Sequence, residues 1–241
     1  MSSVTTPVER VPIPRVRTAE VVRSVLLVLL SAATGATDAV SWLGLGKVFS
    51  AFMTGNVVFL GFRAGGADGP SVPRVFAAIT AFSAGALLCG LIVRGVRDTR
   101  SPWSPRVTLA LAAAVAIQAS FLAVWASVDG QPSAVAGDVL IALSALAMGI
   151  QSAAIFSLGL RAVFTTAVTA TVAVFFGDLA GWAQKRGERL RLFDVVLSVF
   201  AGAALGALLF DHALRWAPAL PLGLSAVAVA SAATVYGIRT R

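Results

Sequence analysis

Hydrophobic residues form long uncharged runs that are separated by short polar connections. Eight such segments are evident, and few of them contain a charged residue. They cover residues 21–45, 48–62, 75–93, 107–128, 139–160, 162–177, 192–210 and 216–238. The runs are continuous and do not alternate between apolar and polar positions, which excludes a transmembrane β-barrel. Since several runs approach the roughly 20 apolar residues of a spanning helix, the pattern predicts an all-α integral membrane protein.

The composition supports a chain whose main partner is the lipid bilayer. Charged residues make up 12% of it, against about 25% in an average soluble domain. The 19 Lys and Arg residues cluster between the apolar runs, so the net charge does not indicate a nucleic-acid partner. One histidine and one cysteine argue against a His-rich metal site and preclude a disulfide within the chain, and we expect no cofactor. Residues 1–20 are predicted to be a disordered cytoplasmic tail, and 21–241 a single transmembrane helical domain.

The segments repeat along the chain. A shift of 115 residues lays the first four on the last four, with seven identities in the 18 positions from Leu43 to Leu60. Phe49 then pairs with Phe164 and Thr54 with Thr169. The pattern predicts two homologous repeats, 21–128 and 138–241, and composition bias is the alternative explanation.

The Lys and Arg residues predict how many segments cross. If all eight cross, 12 basic residues lie inside and seven outside, and the loop 129–138, which has none, lies inside. If 48–62 and 162–177 enter and return on one side, the tally becomes 15 inside and four outside, which the positive-inside rule favours. We therefore predict six full spans plus two short re-entrant helical segments, with eight spans (4+4) as the alternative. Three crossings per repeat would make the halves inverted, with both termini cytoplasmic.

Asp38 is the ionisable residue that lies deepest in a predicted span. A charge there costs about 2.5–3.5 kcal/mol on insertion scales, so Asp38 is a candidate proton or cation site. Thr34 falls on the same face of the predicted helix. A second interpretation is structural: Gly35 breaks the helix, and Thr37 or Asp38 caps the piece that follows.

The sequence Thr54-Gly55-Asn56 places polar residues at the centre of the short segment 48–62. The glycine permits a bend, and the flanking side chains can bond freed backbone groups or a solute. Packing between helices is the alternative role. Thr169 occupies the place of Thr54 in the second copy.

Two glutamines lie inside predicted spans. Gln151, near the middle of its span, is the stronger candidate for a polar site, and Gln118 is the weaker one. Such residues more often bond a neighbouring helix than a ligand. Small residues recur every four positions in two matching segments and predict helix-packing faces: Ala77, Ala81 and Gly85, and Ser198, Gly202 and Gly206. The five tryptophans lie at or near segment ends, which predicts an interfacial belt.

Two stretches resemble the YoaK-like family of bacterial membrane proteins of unknown function. They read GATDAVSWLGLGKVFSAFMTGNVVFLG and AMGIQSAAIFSLGLRAVFTTAVTATVAVFFG. The positions that match the family pattern are Asp38, Phe49, Met53, Thr54, Gly55, Asn56, Gly149, Gln151, Thr165, Thr166 and Thr169. Ala170 stands where the family usually has glycine, which puts a bend there in doubt. The resemblance implies a polytopic inner-membrane protein and supplies no substrate.

These observations favour a small secondary transporter or permease with a midplane polar site at the repeat interface. Its site would comprise Asp38, Thr34, Thr54, Gly55, Asn56, Gln151 and Thr169, and its partner would be a small solute or a proton. A membrane scaffold or accessory subunit that transports nothing is the alternative. An enzyme is not expected, because GxSxG, a second histidine and a paired acidic face are missing from the sequence.

Overall fold

The computed structural model describes residues 13–94, 103–159, 172–173, 176–177 and 186–236. Seven α-helices lie within these ranges: α1 (Ile13–Gly44), α2 (Met53–Ala64), α3 (Val72–Ile92), α4 (Pro105–Ser127), α5 (Ala134–Phe156), α6 (Arg186–His212) and α7 (Ala219–Tyr236). A 3-10 turn, Leu214–Trp216, precedes α7. The fold is all-α in the part of the chain that the structure describes, as the sequence predicts.

Among the described residues, six helical segments are long and apolar enough to span a bilayer, with 21 to 24 residues each. Helix α2 differs, because its 12 residues extend about 18 Å at 1.5 Å per residue, against the roughly 30 Å of a hydrocarbon core. The prediction of six full spans is confirmed. The second short segment, 162–177, lies outside the described residues except at 172–173 and 176–177.

Helix α1 is continuous from Ile13 to Gly44 and passes unbroken through Gly35 and Asp38. The interpretation that Gly35 breaks this helix is therefore wrong. Gly35 serves close packing instead, because a Cβ at this position would collide with the carbonyl oxygen of Val199 on α6. The helix also begins inside the range 1–20 for which the sequence predicts a tail.

Two hydrophobic clusters mark the two ends of the bundle. The Trp103 cluster includes Leu26, Leu30, Cys89, Trp103, Val107, Leu111, Ile150, Ile155, Leu192, Val195, Ala228 and Ala232. The Trp125 cluster includes Val40, Leu45, Val75, Ala78, Phe121, Trp125, Leu140, Ile141 and Ala217, with Phe210 packed against it. Every spanning helix, or a residue directly next to it, contributes to both clusters. The cluster that a helix reaches first along the sequence therefore shows at which end of the bundle the helix begins.

The spanning helices of the first half run alternately between the clusters. In chain order their marker residues are Leu26 then Val40 in α1, Val75 then Cys89 in α3, and Val107 then Phe121 in α4. Helix α1 thus runs from the Trp103 end to the Trp125 end, α3 returns, and α4 follows the direction of α1. Because α1 ends and α3 begins at the Trp125 end, the chain through α2 returns to the side from which it left.

The second half follows the opposite order. Its marker residues are Leu140 then Ile155 in α5, Leu192 then Phe210 in α6, and Ala217 then Ala232 at the start and within α7. Helices α5 and α7 therefore run from the Trp125 end to the Trp103 end, and α6 runs the other way. Both ends of the described chain, at α1 and at Tyr236, lie at the Trp103 end.

Glycines allow two pairs of helices to touch through their backbones. A Cβ at Gly202 of α6 would collide with the carbonyl oxygen of Ala32 on α1. Likewise, a Cβ at Gly149 of α5 would collide with the carbonyl oxygen of Phe82 on α3. Such contacts let dispersion forces act over closely spaced backbones, which is the usual source of helix association in lipid.

Two tryptophans lie in the core rather than in an interfacial belt. Trp103 is 1% exposed and Trp125 is 0% exposed. The indole of Trp103 donates to the hydroxyl of Thr108 (2.9 Å), and that of Trp125 donates to the carbonyl oxygen of Leu214 (2.8 Å). The predicted belt is wrong for these two, because each indole N–H finds its acceptor inside the bundle. Trp216 is 56% exposed, as an interfacial residue would be.

Candidate functional site

A re-entrant hairpin, residues 45–64, follows α1. Gly46 and Lys47 take positive φ values of 81° and 60°, and they reverse the chain directly after the helix. Residues 50–52 then contact Asp38, which precedes the end of α1 by about 9 Å at 1.5 Å per residue. The chain therefore dips back to the depth of Asp38 before α2 leaves. Residues 50–52 form the tip of this dip, and the Thr54-Gly55-Asn56 sequence follows in the first turn of α2.

The carboxylate of Asp38 holds the tip of the hairpin. Its Oδ1 accepts hydrogen bonds from the backbone N–H groups of Ser50 and Ala51, both at 2.8 Å, and its Oδ2 accepts from Phe52 at 3.1 Å. These donors directly precede Met53, the first residue of α2. A negative charge at a helix N-terminus is stabilised by the helix dipole. Asp38 therefore anchors the residues that lead into α2, and three donors compensate its charge.

Asn56 holds the same segment from the other side. Its Oδ1 accepts from the backbone N–H of Phe49 (3.0 Å), and its Nδ2 donates to the carbonyl oxygen of Phe49 (2.7 Å). The residue is 0% exposed. A primary amide has one acceptor and two donors, so this paired contact satisfies a backbone residue that no helix or strand supports. Asp38 and Asn56 together fix residues 49–52.

Aromatic rings enclose the hairpin and explain its glycine. Phe49 stacks on Trp42 with centroids 4.8 Å apart, and it meets Phe52 edge-on at 5.3 Å and Phe59 at 6.0 Å. A Cβ at Gly55 would lie 2.8 Å from the Phe52 ring and 3.0 Å from the Phe49 ring. Gly55 thus allows the rings to cover the backbone at the start of α2.

The remaining predicted site residues do not join Asp38 and Asn56. Thr34 and Gln151 form a separate contact, and Thr54 lies on the surface. Nε2 of Gln151 on α5 donates to the hydroxyl of Thr34 (3.0 Å) and to the carbonyl oxygen of Leu30 (3.2 Å), both on α1. Thr54 is exposed on the first turn of α2, and Thr169 lies outside the described residues. The structure thus brings Asp38 and Asn56 together, and separately Thr34 and Gln151.

Arg74 is a further linking residue that no pattern in the sequence singles out. Its Nε lies 2.6 Å from Oδ1 of Asp138, its Nη2 donates to the carbonyl oxygen of Ala134 (3.0 Å), and its Nη1 donates to that of Leu45 (3.4 Å). This guanidinium links the end of α1, the start of α3 and the start of α5. The partners are 29 to 64 positions away in the sequence, so no local pattern could have indicated them.

The bundle of six spanning helices with a re-entrant hairpin defines a polytopic helical membrane protein. The family model described as "Protein of unknown function (DUF1275)" matches residues 26–231, so the chain belongs to this family. It is also similar to the UPF0700 transmembrane protein YoaK of Bacillus subtilis (strain 168), with 34% identity over 211 residues, which cover 83% of this chain and 91% of the relative. The YoaK-like resemblance is thereby confirmed. No solved structure matches significantly.

Proposed function

We propose that the protein is a small secondary permease, built from two inverted repeats, that moves a small solute or a proton between its halves. The observation that carries the proposal is the opposite direction of corresponding helices: α1, α3 and α4 alternate between the clusters in one order, and α5, α6 and α7 in the other. Inverted repeats of this kind are typical of secondary transporters, which alternate access by moving one repeat against the other.

The packing of the helices supports the repeat. Helix α1 packs on α6 and on α7, while α5 packs on α3 and on α4. If α5 corresponds to α1, α6 to α3 and α7 to α4, then the contact of α1 with α6 corresponds to that of α5 with α3, and the contact of α1 with α7 corresponds to that of α5 with α4. Helices α4 and α7 correspond to each other and also pack together. This exchange of partners is the packing expected of two related halves.

The glycine crossings support the same correspondence of the helices. Gly35 of α1 faces the carbonyl of Val199, and Gly149 of α5 faces that of Phe82. Gly149 lies 114 positions after Gly35, and Val199 lies 117 positions after Phe82, so the two contacts correspond to within two residues of the 115-residue shift. Composition bias explains shared residue types, but it does not explain why corresponding residues make corresponding contacts.

The charges support an inner-membrane orientation with both termini in the cytoplasm. At the Trp125 end, three arginines pair with aspartates: Arg63 with Asp68 (3.8 Å), Arg74 with Asp138 (2.6 Å) and Arg215 with Asp129 (3.1 Å). Arg23, Arg94 and Arg106 lie toward the Trp103 end. Under the positive-inside rule, the end with more basic residues faces the cytoplasm, so the predicted tally of 15 to four supports a cytoplasmic Trp103 end.

A flux measurement tests the proposal. The purified protein is reconstituted in liposomes that hold trapped pyranine as a proton reporter, and small neutral solutes are followed by stopped-flow light scattering. The permease predicts a flux that exceeds that of protein-free liposomes and saturates with concentration. Asn56→Ala, which releases the hairpin tip, should reduce this flux at equal reconstitution, whereas Thr234→Ala on the exposed face of α7 should not. Flux equal to that of protein-free liposomes for every probe would contradict the proposal.

A scaffold or accessory subunit is the second candidate, and one observation favours it. The polar groups of Asp38, Asn56 and Gln151 bond within the chain, as expected if they only join helices and loops. In that case Asp38→Asn and Asn56→Ala would lower thermal stability, and neither the parent protein nor the variants would conduct any probe. The liposome measurement therefore separates the two candidates.

A further inference from the structure

The side-chain amide of Gln118 lies inside the bundle without a protein partner. Gln118 is on α4 and is 7% exposed. Its Nε2 and Oε1 are both buried, and neither has a hydrogen-bond partner within the part of the chain that the structure describes. An amide in this state forfeits hydrogen bonds that it makes in water, which is costly in a low-dielectric interior. Native proteins rarely leave such a group unsatisfied, so it indicates a further partner.

The amide borders a small cavity between four helices. The cavity has a volume of about 20 Å³ and is lined by Thr37, Val40, Gln118, Phe121, Ser144, Pro218 and Pro221. By this measure a water molecule requires roughly 10–15 Å³. The cavity therefore accommodates one molecule of about the size of water next to the unpartnered amide.

The lining residues define the chemistry of an occupant. Thr37 and Ser144, which carry hydroxyls, line the cavity together with Gln118, and no charged residue lines it. The hydroxyl of Thr37 donates to the carbonyl oxygen of Ala33 (2.8 Å), so it offers acceptor lone pairs to the cavity. Pro218 and Pro221 lack N–H groups and form apolar walls. These groups suit an uncharged molecule that both donates and accepts hydrogen bonds.

We propose that Gln118, Thr37 and Ser144 form a binding site for one uncharged hydrogen-bonding molecule of about the size of water. The site lies at the meeting point of α1, α4, α5 and the start of α7, where both halves of the chain contribute. It is distinct from the hairpin contacts of Asp38 and Asn56. The proposal concerns binding and does not depend on transport.

Water-edited solid-state NMR of the full chain in lipid tests this site with water as the probe. The chain has four glutamines, and 15Nε2-glutamine labelling gives one side-chain signal for each, with Gln118→Met assigning the one of interest. Gln131 is exposed and serves as the hydrated reference. Gln151, bonded to Thr34 and Leu30, serves as the dry reference. The proposal predicts that magnetisation from water reaches Gln118 nearly as fast as Gln131. Transfer as slow as that to Gln151 would overturn it.

A filled cavity supplies the second test. Ser144→Leu places extra methyl groups in the cavity and should slow water transfer to Gln118 by several-fold. Ser152→Leu, on the same helix but outside the cavity lining, should leave the transfer unchanged. Equal transfer rates in the two variants would contradict the assignment of Ser144 to the site. Both NMR measurements are independent of the flux measured in liposomes. A failure of the permease proposal is therefore distinguishable from a failure of this one.

Discussion

Removal of the Asp38 carboxylate should release the hairpin tip. Asp38→Ala deprives the backbone N–H groups of Ser50, Ala51 and Phe52 of their acceptor. Asp38→Asn keeps one oxygen, which can still accept from the N–H groups of Ser50 and Ala51. Its NH₂ group, however, would face the N–H of Phe52, so that two donors oppose each other. The two substitutions should therefore differ in severity, with alanine the more damaging.

The hydrogen bonds set the size of the effect. A bond to a charged acceptor contributes about 1.5–3 kcal/mol, so three set an upper limit of roughly 5–9 kcal/mol. Asp38 is only partly buried, and its removal also relieves the desolvation of a charge, which reduces the expected loss to about 3 kcal/mol. One lost bond in Asp38→Asn should cost about 1.5 kcal/mol. At roughly 2–4 °C per kcal/mol, Tm should fall by about 6–12 °C and 3–6 °C.

Two measurements check this prediction. Thermal unfolding in detergent gives the Tm of each variant, and hydrogen–deuterium exchange gives the protection of the amides in residues 49–56. If the Asp38 carboxylate holds these residues, amide exchange increases locally at Ser50, Ala51 and Phe52 in the Asp38 variants. Asp211→Ala provides the matched control, because Asp211 is exposed near the end of α6 and should change stability by less than about 0.5 kcal/mol. Equal Tm values for Asp38→Ala and Asp211→Ala, with unchanged exchange at residues 50–52, would refute the reasoning.

Three further predictions follow from the packing and polar contacts. Gly202→Ala forces α1 and α6 apart and should destabilise the fold by about 1–3 kcal/mol, whereas Gly223→Ala, with open space around it, should not; thermal unfolding compares them. Gln151→Met removes two bonds to α1 and should cost about 0.6–1.7 kcal/mol, measured by unfolding in mixed micelles; no loss would show that these bonds contribute nothing. Arg74→Ala should lower Tm by several degrees and Arg63→Ala by little, since an exposed pair contributes roughly 0–1 kcal/mol; similar Tm values would contradict the bridging role of Arg74.

Much of the fold could be predicted from the sequence, because hydrophobic length and charge distribution act locally. The all-α class and the six spans are confirmed over the residues that the structure describes, and α2 is too short to cross, as the run 48–62 indicates. The internal repeat and the site residues stay predictions. Thr169, with most of the second short segment, lies outside the described residues.

The contacts of the polar residues could not be predicted, because they depend on tertiary geometry. Asp38 reads as an isolated acid in a span, and its partners are backbone N–H groups, which leave no signature in the sequence. Asn56 likewise pairs with a backbone, at Phe49. By position alone, Gln118 is a weaker candidate for a polar site than Gln151. Only the packing shows that Gln151 is hydrogen-bonded, whereas the amide of Gln118 has no partner among the described residues.

Cysteine accessibility tests the central claim most directly, namely that the chain returns through α2 to the side it left. Single cysteines replace Lys47, Ala67 or Arg94 in a Cys89→Ala background, since Cys89 is the native cysteine and is buried. The account predicts that a membrane-impermeant maleimide labels positions 47 and 67 from the same side of the membrane and position 94 from the opposite side. Labelling of positions 47 and 67 from opposite sides would mean that α2 crosses the bilayer, and it would contradict the inverted arrangement.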